Sequence, residues 1–244
     1  MESFDDAKTP VHHRVVMDLT GPALGLFGYS LIAGAAVLLV IPAAWGIAAL
    51  AAWFWRNVTF SNGTKASFEG RAGEVWLYGV LGVVVGWAGL LGARLLGGKD
   101  PGLMTSIAVG LVLLPISTAI NLRLARWGFA GVRLSCGTPL RFTGEYLPYL
   151  GWNVLVQLSI YTVIGWAWVS VAFYRWLCRN ITAEGSQVEF RASGWGLLWR
   201  GFAAVFACLP VVSIPWVIRW LFRWLIQNVE VHKPAERAPD AATM

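Results

Sequence analysis

WFWRNVTFSNGTKASFEG, residues 53–70, alternates polar and apolar positions around Asn62–Gly63 and reads as a β-hairpin, yet it closes an apolar stretch with no charge from residue 22 to residue 55. A type I′ turn needs positive φ at both central positions, which is why Asn-Gly flanked by alternating residues is a strong local hairpin signal. The arrangement returns along the chain. A Trp followed four residues later by Asn or Gly, then by Val or Ile, occurs four times, as Trp53/Asn57/Val58, Trp127/Gly131/Val132, Trp176/Asn180/Ile181 and Trp224/Asn228/Val229. Arg126, Arg175 and Arg223 stand immediately before three of these tryptophans. Downstream, the steps from Gly63 to Phe68, Gly137 to Phe142 and Gly185 to Phe190 are equal.

Self-similarity at fixed offsets marks an internal repeat. The interval from Gly21 to Ile41 equals that from Gly144 to Ile164, and Pro42 to Asn57 equals Gly165 to Asn180. Ile214, Pro215 and Asn228 keep the form in a fourth unit, whereas the second runs from Gly70 to Leu114 and Pro115. That second unit is stretched by a segment containing GGKDPG and reads as two full spans joined by a tight loop. The units cover 15–61, 64–135, 138–183 and 186–232, between a polar tail at 1–14 and a disordered tail at 233–244. Alternation within the hairpins puts Val132, Leu134, Leu140 and Phe142 on one face and Arg133 and Arg141 on the other. In the third hairpin Ile181, Val188 and Phe190 oppose Thr182, Glu189 and Arg191. The unpartnered segments 15–19 and 228–232 are expected to pair with each other, which makes eight short strands.

The composition points to a membrane. Hydrophobic residues make up 57% and charged residues 13% of the chain, against roughly 25% charged in soluble domains. Mean hydropathy is +0.60. Uncharged runs at 22–55, 75–93, 103–122, 146–174 and 201–218 approach or exceed the ~17–25 residues that cross a bilayer as helix. The net charge of +6 fits anionic lipid headgroups; no basic run or separate soluble domain is present to bind nucleic acid. If each unit is a helical hairpin, all lysines and arginines except Arg94 and Lys99 share one side, a strong positive-inside bias. Strands cannot lie open to lipid with unpaired backbone groups, so they belong on that cytoplasmic side together with both termini. MESFDDAKTPVHHR is acidic and polar where a cleavable signal would be basic and then apolar. The fold expected is a polytopic α-helical membrane protein with short cytoplasmic β-hairpins. It has four pseudo-repeats of strand, helix, Pro or Gly turn, helix and strand, with about eight helical legs, some of them re-entrant because legs of about 14 residues reach only ~21 Å.

The order of these elements resembles the YjgN-like proteins, a family of bacterial inner-membrane proteins of unknown function. Ile214-Pro215-Trp216 and Ile41-Pro42 with Trp45 match its turn, and Asn57 to Gly70 matches its hairpin. The resemblance covers roughly residues 15–231; Gly165 stands where the turn proline belongs, and the helices after the turn carry fewer basic residues. It implies a bacterial inner membrane and brings no activity or site residues.

Sites of chemistry are few. All thirteen acidic residues lie in the tails, the hairpins or the KDPG loop, which disfavours a proton-driven carrier. HExxH, GxSxG and GxxxxGK[ST] are absent. Cys136, Cys178 and Cys208 show no CxxC spacing, so neither a disulfide framework nor zinc is expected, and no cofactor is implied. His12, His13 and His232 would meet near Asp18 and Glu230 if the terminal strands pair, a weak metal candidate beside the reading of solvated tail histidines. Asn153 and Gln157, one helical turn apart, serve either helix-to-helix hydrogen bonding or a polar contact on a transport path. Gly79, Gly82, Gly86, Gly89 and Ala93 form a small-residue stripe that packs within one subunit or, through Gly82 and Gly86, forms a homo-oligomer seam. Trp216, Trp220 and Trp224 run beside Arg219 and Arg223 and form a candidate contact for anionic lipid headgroups. Sequons at Asn57, Asn62 and Asn180 read as strand and turn residues. The function expected is that of a non-enzymatic inner-membrane scaffold or interaction protein; a small-molecule or lipid transporter is the alternative and an intramembrane enzyme the third.

Overall fold

The computed structural model describes residues 14–135, 137, 139–162, 164–183 and 186–232. The first unit is β1 (Arg14–Leu19), α1 (Ala23–Leu38), α2 (Ala43–Arg56) and β2 (Val58–Phe60). The second is β3 (Ala66–Phe68), a short 3-10 turn, α3 (Trp76–Gly97), α4 (Leu103–Ala130) and β4 (Val132–Leu134). The third is β5 (Arg141–Phe142), α5 (Tyr146–Ser159), α6 (Gly165–Arg179) and β6 (Ile181–Ala183). The fourth is β7 (Ser186–Phe190), α7 (Gly194–Ala207), a 3-10 turn, α8 (Ile214–Gln227) and β8 (Val229–His232).

Each unit pairs its own two strands around its helical hairpin. Leu19 faces Val58, Phe68 faces Val132, Phe142 faces Ile181 and Phe190 faces Val229, all antiparallel. One residue further on, the amides of Thr20, Glu69, Thr143 and Arg191 donate to the carbonyls of Asn57, Gly131, Asn180 and Asn228 at 3.0, 2.8, 2.8 and 2.9 Å. The fourfold repeat is thus present at the level of single hydrogen bonds. Between units the strands meet less evenly. A six-stranded sheet runs β2-β1-β8-β7-β6-β5 beside a two-stranded ladder β3-β4. Single antiparallel bridges, Thr59 to Lys65 and Arg133 to Pro139, join the two sheets and close the eight strands into a ring. The terminal strands pair as expected, with Val15 opposite Val231 and Val16 opposite Glu230.

Two expectations are corrected. Of the hairpins expected between units, only β6-β7 forms a ladder; Gly63 and Gly137 do turn the chain at φ 77° and 84°, but β2 and β3, and likewise β4 and β5, splay apart beyond one bridge. A helical hairpin returns the chain beside its own starting point, which places its flanking strands next to each other. The polytopic architecture is also overturned. Among the described residues only α3 and α4 are long and apolar enough to cross a bilayer. The other six helices have 14 to 16 residues and reach ~21–24 Å, short of a ~30 Å hydrocarbon core. The uncharged runs at 22–55, 146–174 and 201–218 are each divided between two short helices, α1 and α2, α5 and α6, and α7 and α8. The architecture is therefore mainly helical, with a curled six-stranded sheet and one additional strand pair. Pro115 lies inside α4 and not at a turn; the α3–α4 turn occupies 98–102.

The core sits where helix ends meet the ring. Ala66, Val132, Leu140 and Ala183 are buried together under Trp55, Phe60 and Phe129, and Val188 and Phe190 pack on Val171, Cys178 and Trp224. Leu19 and Val58 meet Leu26 and Ile226. Phe68 and Gly70 are linked by ring packing: a Cβ on Gly70 would stand 2.6 Å from the Phe68 ring that folds over it.

Candidate functional site

In a ring of antiparallel strands successive connections alternate between the two rims. All four helical hairpins therefore leave from one rim, and the short turns lie at the other with the paired ends Arg14 and His232. The repeated arginines fasten this helical rim. Arg126 Nη2 donates to the Gly144 carbonyl at 2.9 Å and Arg175 Nη2 to that of Ala192 at 2.8 Å. Arg223 holds Asp18 through two bonds of 2.7 and 2.8 Å, with Gln227 Nε2 donating to the same carboxylate at 3.0 Å. Each arginine thus ties its unit to the next, and the last ties the fourth to the first. Ala52 holds the corresponding place in the first unit. At that seam, beside the lone Thr59–Lys65 bridge, lies an open cleft of about 650 Å³ bordered by Arg56, Lys65, Ser67 and Arg133.

The Asp18–Arg223 contact across the β1–β8 seam is expected to weaken in acid. Hydrogen bonds from Arg223, outweighing partial burial, hold the Asp18 carboxyl below its ordinary value of 3.8. A lowered folded-state pKa contributes stability above the ordinary value, and that contribution is lost as pH falls through the lowered one. The unfolding temperature is therefore expected to fall on acidification below about pH 4, and Asp18→Asn should lose stability at neutral pH and flatten that acid limb. Thermal melts across pH check it; an unchanged acid limb in Asp18→Asn would remove Asp18 from the closure.

Beside this contact, Glu189 and Glu230 stand directly opposite across β7 and β8. Arg191 Nε lies 3.2 Å from Glu189 and 3.1 Å from Glu230, and His232 Nε2 lies 3.5 and 3.6 Å from the same two carboxylates. The cationic side chain offsets like-charge repulsion across the ladder. Among the described residues no His, Cys, Asp or Glu group is arranged to hold a metal ion; His12 and His13 lie outside the described residues, as does Cys136.

The polar pair in α5 is divided. Asn153 Nδ2 donates to the Tyr149 carbonyl of its own helix at 2.7 Å. Gln157 lines a groove of about 260 Å³ with Gly82, Gly86, Gly89, Gly110, Ser117 and Asn121. Within the glycine stripe, Gly82 faces Ile120 and Gly89 faces Leu113 across α4, whereas a Cβ on Gly86 would meet nothing within 4 Å.

On α8, Trp216 and Trp220 are exposed, Arg223 is engaged by Asp18, and Arg219 Nε is buried with no hydrogen-bond partner among the described residues. Trp224 instead lies beneath Arg200 of α7, whose guanidinium sits 4.5 Å from its ring and 5.7 and 5.9 Å from those of Trp220 and Trp199. Sequence reasoning passes over Arg200, because its partners come from a neighbouring helix; the one local signal is its place between Trp199 and an uncharged run.

The far ends of the hairpins are apolar and open. Leu39 is 70% exposed, Leu95 85%, Ile160 60% and Val212 79%. No family model, curated protein or solved structure matches the chain.

Proposed function

We propose that the protein is a membrane-anchored scaffold of the bacterial inner membrane, with the α3–α4 hairpin as its anchor and the strand ring and both chain ends on the cytoplasmic side. The observation that carries this reading is the placement of charge on the two long helices. Residues 75–93 and 103–122 carry none; Arg94, Lys99 and Asp100 cluster at the turn, and Arg123 and Arg126 lie near the ring. Twenty residues of helix rise ~30 Å, the thickness of the hydrocarbon core. The polar outward positions of the ring, among them Thr59, Ser67, Arg133, Arg141 and Gln187, suit contacts with a partner in water, and the resemblance to YjgN-like proteins supports the same compartment. A second reading, passage of a small polar solute or lipid headgroup, is favoured by the groove that brings Gln157, Asn121 and Ser117 together between apolar helices.

Impermeant maleimide labelling of sealed vesicles tests the anchor, in a chain whose native cysteines are replaced by serine. Lys99→Cys should react only from the periplasmic side and Asn62→Cys only from the cytoplasmic side. Reaction of both from one side would end this reading.

A further inference from the structure

We infer that the three short hairpins, α1–α2, α5–α6 and α7–α8, are buried in one leaflet only, so that the protein is an asymmetric wedge whose ligand is a curved lipid surface, convex on the side of the strand ring. The inference rests on the anchored reading for its orientation.

Connectivity supplies the first observation. All four hairpins leave the same rim, so three short ones stand beside one that is long enough to cross. Depth supplies the second. Arg200 lies six residues from the start of α7 and Arg219 eight residues from the end of α8, ~9–12 Å from the ring. Arginines accompanied by tryptophans mark the headgroup level. Of the ~21 Å in each of these helices, roughly 10 Å remains beyond that level, less than the ~15 Å of half a hydrocarbon core.

The turns themselves supply a third and independent observation. A turn in lipid must satisfy its polar groups internally, because no water is there to do so. Thr162 Oγ1 donates to the Ser159 carbonyl at 2.7 Å, and Ser159 Oγ donates to that of Val156 at 2.8 Å. Ser213 Oγ is placed to donate to the carbonyls of Ala207 and Pro210. In the first hairpin, backbone amides alone close the turn, from Leu39 to Ala35, Val40 to Val37 and Ile41 to Leu39. The surrounding side chains, Leu38, Leu39, Ile41, Ile160, Ile164, Leu209, Val211 and Val212 among them, are all more than half exposed. These bonds close the turns on themselves within apolar, uncharged surroundings.

Six helices of ~10 Å diameter then add roughly 500 Å² to the near leaflet and nothing to the far one, while α3 and α4 occupy both equally. Insertion of apolar helix into a single leaflet makes binding sensitive to curvature.

The test uses the full chain, serine replacing the native cysteines, in vesicles of phosphatidylethanolamine and phosphatidylglycerol. Single cysteines at Leu39, Ile160 and Val212 should react with impermeant maleimide from neither side, and a fluorophore attached there should be quenched by lipids brominated along the acyl chain. Reaction from the far side would make the short hairpins spans, and reaction from the near side would put them in water; either overturns the inference. In a mixed population, protein per unit lipid area should be about threefold higher on vesicles of about 30 nm than on those of about 200 nm. Equal densities would overturn the curvature preference. Lys99→Cys, labelled in parallel, reports on the anchor separately: near-side reaction there with unreactive tips would overturn the anchor and leave the one-leaflet wedge supported.

Discussion

Replacing Asn57, Asn180 and Asn228 together by alanine is expected to lower the unfolding temperature in detergent by roughly 10–15 °C. The last carbonyls of a helix have no partner within it. At the end of α2 the Asn57 amide bonds Phe54 at 3.0 Å, and its side-chain Nδ2 takes the carbonyl left over, that of Trp53, at 2.8 Å. Asn228 does the same for Trp224 at 2.7 Å, and Asn180 Nδ2 donates at 2.8 Å to the Trp176 carbonyl, which its own amide also reaches at 3.3 Å. These side chains are part-buried, so each loss removes about 1 kcal/mol of hydrogen bond, the Trp53 and Trp224 carbonyls are left poorly solvated, and the three sites together approach about 3–5 kcal/mol. That is a large share of the ~5–15 kcal/mol of a typical domain. The second unit of the repeat is the internal control. Gly131 makes the equivalent bond with its own backbone, to Trp127 at 2.9 Å, and a Cβ there would stand 2.7 Å from Phe68 and 3.0 Å from the Gly70 backbone. Gly131→Asn should therefore destabilise and not help. A triple variant melting within about 2 °C of the parent would show that these amides are not what ends the helices.

The same residues show why some of the architecture was legible in the sequence. A Trp and an Asn four apart are neighbours on one helix, so the contact that joins them is local and its recurrence can be read directly. The uncharged runs announced apolar helices, and GGKDPG announced the one long hairpin. Partner choice among the strands was a different matter. Asn62–Gly63 specifies a turn and does make one, but a turn fixes only two residues, whereas the α1–α2 hairpin delivers Asn57 to Thr20 from 37 positions away. No local spacing encodes that return. Nor does hydropathy count spans: the run at 22–55 is apolar throughout, and although Ile41-Pro42 marks its division into two helices, only their lengths of 16 and 14 residues show that neither crosses. At the candidate site, the arginines before the tryptophans were visible as a pattern, but their acceptors at Gly144, Ala192 and Asp18 belong to the next unit and are set by the ring. The cage around Arg200 was hidden for the same reason.

Val84→Arg is expected to be the most damaging single substitution for membrane attachment, and it separates an anchoring hairpin from a merely apolar one. Val84 lies midway along the uncharged run 75–93 of α3 and is half exposed, so its replacement points away from the subunit's core and disturbs little of its packing. An arginine at the centre of a membrane helix costs about 3 kcal/mol on the insertion scale, roughly a hundredfold in the inserted population. The long side chain that lets an arginine near a helix end find the headgroups does not reach them from the midpoint. Alkaline extraction of membranes should then release most of the variant and little of the parent. Ser67→Arg, at an exposed position of β3, should leave extraction unchanged, because the anchored reading puts that face in water. If Val84→Arg stayed as firmly bound as the parent, α3 would not cross the bilayer. The exposed leucines of its far end, Leu95 and Leu96, would then need a protein surface to cover them.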